Sequence, residues 1–589
     1  MAESGPRSSG IYGLFCLDGA PAAASDARAL GMVPPQAGLS WLIEGHDPHA
    51  PAAIHRHADA RGVTLLVGEV AGVEDIAARL GLVRGTPMAR IARAALERFG
   101  PDTPAELLGE WSLLHRSAEG RLTLMVGPAR RDRLHYAVVD ARVAVAPDLF
   151  RLARIGWIGS EVDEAGLIFG WGNGHVREGR SDRTMLPRVR QLEPGASVAI
   201  ETNGSIAQSA ATIIAPQPRW RGTFADALVE SEGLLRQIMR ERLAGASRPA
   251  VLLSGGLDSS LLAWLAAEER GDEQAILSLT SAALAGSGID DETNFAAMVA
   301  DHLDIRCAPV SAALDANFFR PPDAILSGAS GPLLSNRHCL TEAFQIAAKA
   351  GGATLLVNGT YGEMTATARL PVTRLAQRLR TVAAHLYYGL RRTDSNQSAG
   401  YPFHVKLAPH RLANLPQPIR AAIEKPLAPM QLMPKRTGLL GYLPGVAKSL
   451  AHPNEFYPGA LRMNFPYRDM RLYRLFAGFP VAMLLEGGSD RPMVRAMLDG
   501  RLPDVIRLRR QGMPAEPDRF QRMQRQVAAA RKRITDFRKA EIDDWIDLDW
   551  LDVALHRVAA NGAGNNNEAN EVQLTAIAAE FLCWWRSRS

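Results

Sequence analysis

The sequence predicts two layered domains, an α+β domain followed by an α/β domain on a parallel sheet. Three observations lead there. The chain has 589 residues, beyond the size at which a single core keeps growing, so two or three domains are expected. Before about residue 210 the apolar stretches are brief, strand-like and bounded by turn residues. After that point a strand, a glycine-rich loop and a helix follow one another, and strand and helix then alternate, as they do in a parallel sheet.

Composition narrows the class. Hydrophobic residues make up 47% and charged residues 22%, a globular balance that excludes wholesale disorder. The formal charge of +5 favours phosphates or an acidic peptide but is too small to argue for nucleic acid. Cys16, Cys307, Cys339 and Cys583 form no C-x-x-C pair, which speaks against a zinc site or a disulfide framework and for free thiols in a reducing compartment. Met1–Ser9 has no apolar signal core, and no run reaches the roughly 18 apolar residues of a membrane span. The expectation is a soluble, cytoplasmic protein.

In the first half, Gly10–Gly19, Ser40–Glu44, Val63–Val67, Ser112–His115, Leu122–Val126 and Ala141–Ala146 read as short strands. Met88–Phe99 reads as a helix with Ile91, Ala95 and Phe99 on one side. Pro216 and Pro218 mark a linker near Ala210–Gln217, dividing the chain into 1–215 and 216–589.

The second half opens with an amphipathic helix, Phe224–Leu243, whose Phe224, Leu228, Leu235 and Met239 fall on one stripe. Ala250–Leu253 reads as a buried strand and Ser259 onward, with Leu261, Leu262, Trp264 and Leu265, as a helix. Between them lies Ser254-Gly255-Gly256-Leu257-Asp258-Ser259-Ser260. Two glycines let an oxyanion approach the main chain, and the helix N-terminus offers unpaired N–H groups to it. The turn therefore predicts a phosphate site. It is not the G-x-x-x-x-G-K-[ST] loop, since it lacks the lysine; instead it sets Asp258 beside the glycines, and a carboxylate next to phosphate oxygens calls for an intervening Mg²⁺. Leu253 and Leu279, at the ends of the first two strands, are candidate nucleotide contacts.

Ala275–Thr280 reads as the second strand, followed by Asp291-Glu292, a helix at Asn294–Asp301 and a strand near Cys307–Val310. Asp291-Glu292 reads equally as a helix cap and as a site pair. Thr341–Ala350 reads as a helix, and Ala353–Val357 as a strand that runs into Asn358-Gly-Thr-Tyr-Gly-Glu-Met364. Mg²⁺ on pyrophosphate needs carboxylate from two sides, and Glu363 is placed to supply the second.

These motifs resemble known ones. S-G-G-x-D-S-S is similar to the pyrophosphate loop of the ATP-pyrophosphatase enzymes, which cleave ATP to AMP and PPi and so adenylate a carboxylate. Gly10-Ile-Tyr-Gly-Leu-Phe with Asp18-Gly19, Leu108-Gly-Glu-Trp-Ser112, Arg183-Thr-Met-Leu-Pro-Arg-Val and Leu192-Glu-Pro-Gly195 resemble the glutaminase-like, Ntn-type N-terminal domain of the asparagine synthetase family. The resemblance implies a nucleophilic cysteine just before Gly10, where its own α-amine serves as base. Ser9 stands there instead, and Cys16 reads as a buried structural thiol inside a strand. The domain is expected to be a glutaminase without activity, kept for structure or partner binding.

In the second half the resemblance implies that Glu363 takes the place of a metal-binding aspartate, and Met364 that of a glutamate of the asparagine-forming site. Tyr361 lies one residue from a catalytic tyrosine of carbapenam and β-lactam synthetases, and reads equally as a packing residue. Arg462-Met-Asn-Phe-Pro-Tyr-Arg-Asp469, Arg491-Pro-Met-Val-Arg-Ala-Met and Leu502–Gly512 continue the similarity. The last segment carries a charge-neutralising lysine in the family; here Arg509 and Arg510 are the nearest cations, Gln511 stands at the lysine's place, and Arg510 is taken for the role. Residues 370–449 hold Tyr387, Tyr388, Tyr401 and Leu415-Pro-Gln-Pro418, which suit a peptide groove or simple packing. The tail reads as a helix, Phe520–Lys539, with a solvated basic face, then a polar loop, Asn561–Asn570, and a docked last helix ending in Phe581-Leu-Cys-Trp-Trp585.

An adenylating half without an ammonia-producing half implies that the attacking amine is already on the substrate. Lasso peptide cyclases, which join a peptide's N-terminal amine to an Asp or Glu side chain, have that logic and suit the altered loop and the long middle segment. The resemblance then implies ATP and Mg²⁺, a precursor peptide, and a leader-binding protein and leader protease of the same pathway. A β-lactam-type synthetase, an asparagine synthetase and a nucleotide-binding pseudo-enzyme are the alternatives.

Overall fold

The structure, a computed structural model, describes residues 7–34, 38–47, 53–129, 133–163, 166–167, 182–209, 217–271, 276–313, 315–332, 334–367, 461–480, 483, 491–510, 512, 515–562 and 566–588. Residues 370–449 with their tyrosines, Gln511 and the linker around Pro216 lie outside them, as does the side chain of Met364.

The first half forms two antiparallel sheets. One runs in the order β2 (Trp41–His46), β1 (Gly10–Cys16), β8 (Arg142–Ala146), β7 (His135–Val139), β9 (Val189–Gln191). The other runs β11 (Ile206–Ser209), β10 (Ser197–Ile200), β6 (Leu122–Val126), β5 (Gly109–Ser117), β4 (Gly62–Val70), β3 (Ile54–Asp59). Alternation along each strand decides which face meets what. On β1, Ile11 and Phe15 join Leu65, Leu114, Leu124 and Val145 in a core between the sheets, while Tyr12 and Leu14 point the other way. On the second sheet Leu66, Trp111 and Leu113 pack against helices α2 (Val73–Arg79) and α3 (Met88–Phe99). A short helix, α1 (Ala24–Leu30), lies on the outer face of the first sheet. This is the layered α+β arrangement that the strand pattern predicts.

The second half holds a parallel sheet in the order β14 (Arg306–Val310), β13 (Leu277–Ser281), β12 (Pro249–Leu252), β15 (Leu355–Val357), β16 (Met463–Asn464). Helix α4 (Phe224–Leu243) precedes it, started by a capping box between Thr223 and Asp226. Helices α5 (Leu257–Arg270) and α6 (Thr293–His302) carry the chain outward from β12 to β14, and α7 (His338–Ala350) brings it back to β15 on the other side of β12. The strand order therefore reverses between β12 and β15, the place where such sheets open a crevice for ligands. Helix α5 begins at Leu257, two residues before the sequence pattern starts it, because Gly256 and not Ser259 is the N-cap.

Beyond β16 come α8 (Met470–Gly478), α9 (Pro492–Met497) and three long helices, α10 (Arg519–Lys539), α11 (Leu548–Asn561) and α12 (Asn566–Arg588). Phe537, Leu555, Phe581 and Trp585 share one core with Tyr12, Leu14 and Ala144. The last helices of the chain thus cover the outer face of the first sheet. Two expectations for the tail are corrected. The polar stretch Asn561–Asn570 is mostly helix among the described residues, since α12 starts at Asn566. Arg522, expected in solvent, is 3% exposed; Asp518 and the carbonyls of Ala312 and Ala313 satisfy its guanidinium at 3.0, 2.5 and 2.8 Å.

The two halves are joined by buried charge. Arg242, at the end of α4, has its guanidinium 3.3 Å from Glu69 on β4, 3.5 Å from Glu110 on β5 and 3.7 Å from Asp469. Glu69 also pairs with Arg462, and Arg471 bridges Asp469 and Glu241 at 2.8 and 2.6 Å. Burial works to raise the Asp469 carboxyl, but the bonds and charges of Arg471 and Arg242 together hold it below the usual range.

A cluster of carboxylates gathered on one arginine predicts the cost of losing it. Arg242→Met should lower unfolding free energy by about 3–5 kcal/mol in denaturant titration, and a change within about 1 kcal/mol would show that the cluster is not buried in solution. Because the folded pKa of Asp469 is depressed, its contribution is present above the ordinary carboxylate range and lost as pH falls through the depressed value, so wild-type stability should drop below about pH 4.

Candidate functional site

The phosphate-loop motif sits where β12 ends. Leu253 continues the sheet through its N–H to the Leu279 carbonyl, 2.8 Å. Gly255 then takes φ +66°, and a Cβ there would lie 2.5 Å from Phe295 Cβ and 2.9 Å from the Ala296 nitrogen. Only glycine fits. Gly256 caps α5 with extended backbone and no side-chain cap, and the first helical bond is that of the Ser260 N–H to the Gly256 carbonyl. The N–H groups of Leu257, Asp258 and Ser259 are left without helical partners at the mouth of the loop. The Ser254 N–H donates to Ser259 Oγ at 3.1 Å, which closes the loop on itself.

A cavity of 460 Å³ opens there, at the carboxyl ends of β12, β13 and β15, within the usual size range for small-molecule sites. Of the predicted residues, Leu253, Ser254, Gly256, Leu257, Asp258, Ser259, Leu279, Glu363 and Arg510 line it. Gly255 and Ser260 lie behind the wall, Ser260 fully buried.

Asp258 is held from three sides. Arg491 Nη1 lies 2.8 Å from its Oδ2, the Thr367 hydroxyl donates to Oδ1, and the fully buried Tyr467 donates its hydroxyl to the Asp258 carbonyl at 2.9 Å. Gly362 makes room for this: a Cβ on it would lie 2.3 Å from Asp258 Oδ1. Glu363 follows, its residue surface still exposed to solvent. Enclosure by the cavity walls, then the charge of Asp258, push its carboxyl above the usual range.

Tyr361, offered by the sequence as a catalytic group, is placed elsewhere. Its backbone is left-handed, φ +78°, and its ring is buried 5.7 Å from Phe465 with Arg468 over it. It packs in the core and does not line the cavity, because the left-handed turn at Tyr361 aims the ring inward and the next carboxylate outward.

The arginines divide by what they already hold. Arg509 pairs with Glu292 at 2.7 Å and lies over Phe295; Arg495 donates to the carbonyls of Arg507 and Arg509; Arg491 is bound to Asp258. Arg510 lines the cavity, exposed, with no hydrogen bond or ion pair among the described residues. The Asp291-Glu292 pair splits. Asp291 caps α6 through Thr293 N–H at 3.0 Å and takes the Ala283 N–H at 2.9 Å, while Glu292 faces the cavity. Sequence reasoning gave no role to Arg491, Thr367 and Tyr467; the motif Arg491-Pro-Met-Val-Arg was noticed, but the side chain that meets Asp258 comes from 233 positions away.

Asp258 and Glu363 come from loops on the two sides of the strand reversal, and the charge of Asp258 adds to the cost of charging Glu363. Asn358, Thr360 and Ser254 add oxygen atoms on the same wall. This donor set suits a hard divalent cation such as Mg²⁺, which would relieve the carboxylate pair. Among the described residues no three of His, Cys, Asp or Glu form a metal cage, so such an ion would draw the rest of its shell from phosphate and water.

The remaining question is the position ahead of β1. Ser8 donates through its N–H to Asp148 at 3.2 Å and through its hydroxyl to the same carboxylate, and Ser9 is buried. Cys16 closes β1, its thiol pushed up by burial and by Asp18 and Asp26, the opposite of what a thiolate nucleophile needs.

The asparagine synthase family matches residues 230–316 and 460–586, which include the phosphate loop, Arg491 and Arg510. In these two segments the chain is similar to asparagine synthase. Domains of that family join carbon to nitrogen using ATP. Two solved structures are similar to the chain at a low level: one described as the allosteric regulatory enzyme of purine biosynthesis, 12% identical, TM-score 0.23, over 42% of this chain and 55% of that one; and the B. subtilis glutamine phosphoribosylpyrophosphate amidotransferase complexed with ADP and GMP, 11% identical, TM-score 0.23, over 54% and 64%. The chain thus spans little more than half the length of these structures. No curated protein matches it.

The phosphate loop and its carboxylates give two measurable expectations. Gly255→Ala should destabilise by about 1–3 kcal/mol from the left-handed backbone alone and weaken nucleotide binding further through the overlap with Phe295, read by thermal melting with and without ATP. The Glu363 carboxyl is raised above its ordinary range, so Mg²⁺ must compete there with a proton, Mg²⁺ affinity should rise as pH climbs above that ordinary range, and Glu363→Gln should flatten the rise.

Proposed function

We propose that the protein is an ATP-dependent carbon–nitrogen ligase that adenylates an Asp or Glu side chain of a ribosomally made peptide and joins it to the peptide's own N-terminal amine, closing a lasso-type macrolactam and releasing AMP and PPi. The observation that carries this reading is the pairing of an intact adenylating loop with a first domain whose nucleophile position is Ser9. Without a cysteine there, no ammonia is drawn from glutamine, and the amine must come with the substrate. The first domain serves as scaffold.

The residues divide the work. The α5 N-terminus and the Ser254–Ser259 loop bind the phosphates, and Asp258 and Glu363 would hold Mg²⁺, which supplies charge neutralisation for the departing pyrophosphate. Arg491 and Thr367 fix the Asp258 carboxylate so that it meets its ligand without rearranging. Arg510, unpaired on the wall, neutralises pyrophosphate as the α-phosphorus is attacked; as an arginine it contributes charge and not a proton. The peptide carboxylate attacks the α-phosphorus, and the amine then displaces AMP, a step whose gain is chiefly proximity.

Both oxygens of Asp258 already bonded to protein favour a second reading, a nucleotide-binding pseudo-enzyme. One experiment separates the two: AMP and PPi release with a panel of peptides bearing N-terminal Gly or Ala and an acidic residue several positions on, with mass spectrometry of each peptide. Peptide-dependent AMP with loss of one water from the peptide is expected. Saturable ATP binding with no AMP supports the pseudo-enzyme, and turnover of a small β-amino acid moves the reading to the β-lactam side. Asp258→Ala should reduce PPi release at least about 100-fold; release near the wild-type rate would overturn the assignment of the loop.

A further inference from the structure

Arg510 is carried by a stretch with little structure of its own. The helical turn Asp504–Arg507 ends before it, Arg509 keeps a backbone bond from its N–H to the Ile506 carbonyl at 3.2 Å, and Arg510 and Gly512 belong to no helix or strand. Side chains must therefore set where this stretch runs. Arg495, one turn along α9 from Arg491 and so on the same face, donates to the carbonyls of Arg507 and Arg509. Arg509 ties the stretch to the phosphate loop. Its guanidinium meets Glu292, the residue that precedes α6, at 2.7 Å, donates to the Ser254 carbonyl at 3.4 Å and lies 3.9 Å over the Phe295 ring. Phe295 is the residue that Gly255 turns against. The side chains of the ion pair are only 9% and 11% exposed. From the other direction, a Cβ on Gly512 would lie 3.4 Å from Glu292 Oε1. Glu292 thus meets the stretch on both sides of Arg510, and Ser254, Glu292, Arg509, Arg510 and Gly512 all line the one cavity.

A fork of donors beside a phosphate loop would bind ATP itself if it were uncommitted. A cation that holds ATP as tightly as the transition state brings no rate to the chemical step. Resting on the ligase reading above, we propose that Glu292 is a positioning residue for the departure of pyrophosphate. It holds Arg509 against the phosphate loop and off the phosphates, and so sets the place from which Arg510 acts. Arg510 then meets the charge that develops on the bridging oxygen as the peptide carboxylate bonds to the α-phosphorus and the bond to pyrophosphate breaks, its electron pair leaving on pyrophosphate. Glu292 touches no reacting atom in this scheme and works through Arg510. Glutamine in its place keeps the shape and loses the charge. Arg509 would then turn to the nearest anion, the bound triphosphate, and draw its stretch with it.

The test uses the full chain, Mg²⁺, ATP and a peptide active in the panel above, read by peptide-dependent ATP–PPi exchange and by thermal melting. It compares wild type with Glu292→Gln, Glu292→Asp, Arg510→Ala and the double variant Glu292→Gln with Arg510→Ala. Expected for Glu292→Gln is exchange slowed at least about tenfold, half-saturated at an ATP concentration no higher than that of wild type, with partial recovery in Glu292→Asp. The double variant should exchange within about twofold of Arg510→Ala alone, since a residue that acts through another adds nothing once the other is gone. Losses that multiply in the double variant would overturn the proposal, and so would wild-type exchange in Glu292→Gln. A raised ATP requirement together with a lowered melting temperature in Glu292→Gln marks a merely structural role and overturns it as well. Should Glu292→Gln not fold, Arg509→Lys, which keeps the charge but loses the fork that reaches Glu292 and Ser254 together, carries the same comparison. Absence of exchange in the wild type would instead sink the ligase reading itself.

Discussion

The fixing of Asp258 is the interaction on which the site depends. Its carboxylate is gripped by Arg491 and Thr367 and its carbonyl by Tyr467, so four segments of the chain meet at one residue. Each of the four comes from a different part of the parallel-sheet half: the loop after β12, the loop after β15, the turn after β16 and the start of α9. The phosphate loop is thereby held in shape by its own tight turn at Gly255 and by ties to what surrounds it. Preorganisation of this kind lets fixed dipoles and charges meet a forming anion without first having to move.

Tyr467 and its neighbours also link the site to the other half. The segment from Arg462 to Asp469 pairs with Glu69, reaches the Ala129 carbonyl through Arg468, and ends at the Arg242 cluster. The same eight residues thus touch the phosphate loop and the first domain. A buried network of this sort adds little net stability over an apolar contact, but it specifies one way of docking, since any other leaves carboxylates unpaired.

Much of this was legible in the sequence because it is local. The seven-residue loop declares its turn, its helix start and its carboxylate within a few positions, and the alternating strands declare their faces. Glu363 was found because the need for a second carboxylate after a neighbouring strand is itself a local pattern. Arg491, Thr367 and Tyr467 were not, since their roles depend on how distant segments meet, and nothing in an Arg-Pro or a Pro-Tyr pair announces a partner over a hundred positions away. Of the two readings the sequence left open for Tyr361, catalysis and packing, the structure favours packing, because one left-handed residue turns the ring into the core. Arg522 looked like any other arginine on a basic face, and only the carbonyls of Ala312 and Ala313 make it an interior residue. The strand Ile54–Asp59 escaped because its apolar character is diluted by charged residues that the sheet tolerates at its edge.

The last three helices close the outer face of the first sheet, and this has a bearing on how the chain is made. A ribosome emits the strands with Tyr12 and Leu14 first and the helices with Phe581 and Trp585 last. At about 5–20 residues per second, the apolar side of that sheet waits tens of seconds for its cover. During that interval it is an adhesive surface in a crowded cell. The protein is therefore expected to mature as a whole, with its first-made layer among the last to be sealed, and to lean on chaperones while its synthesis is under way.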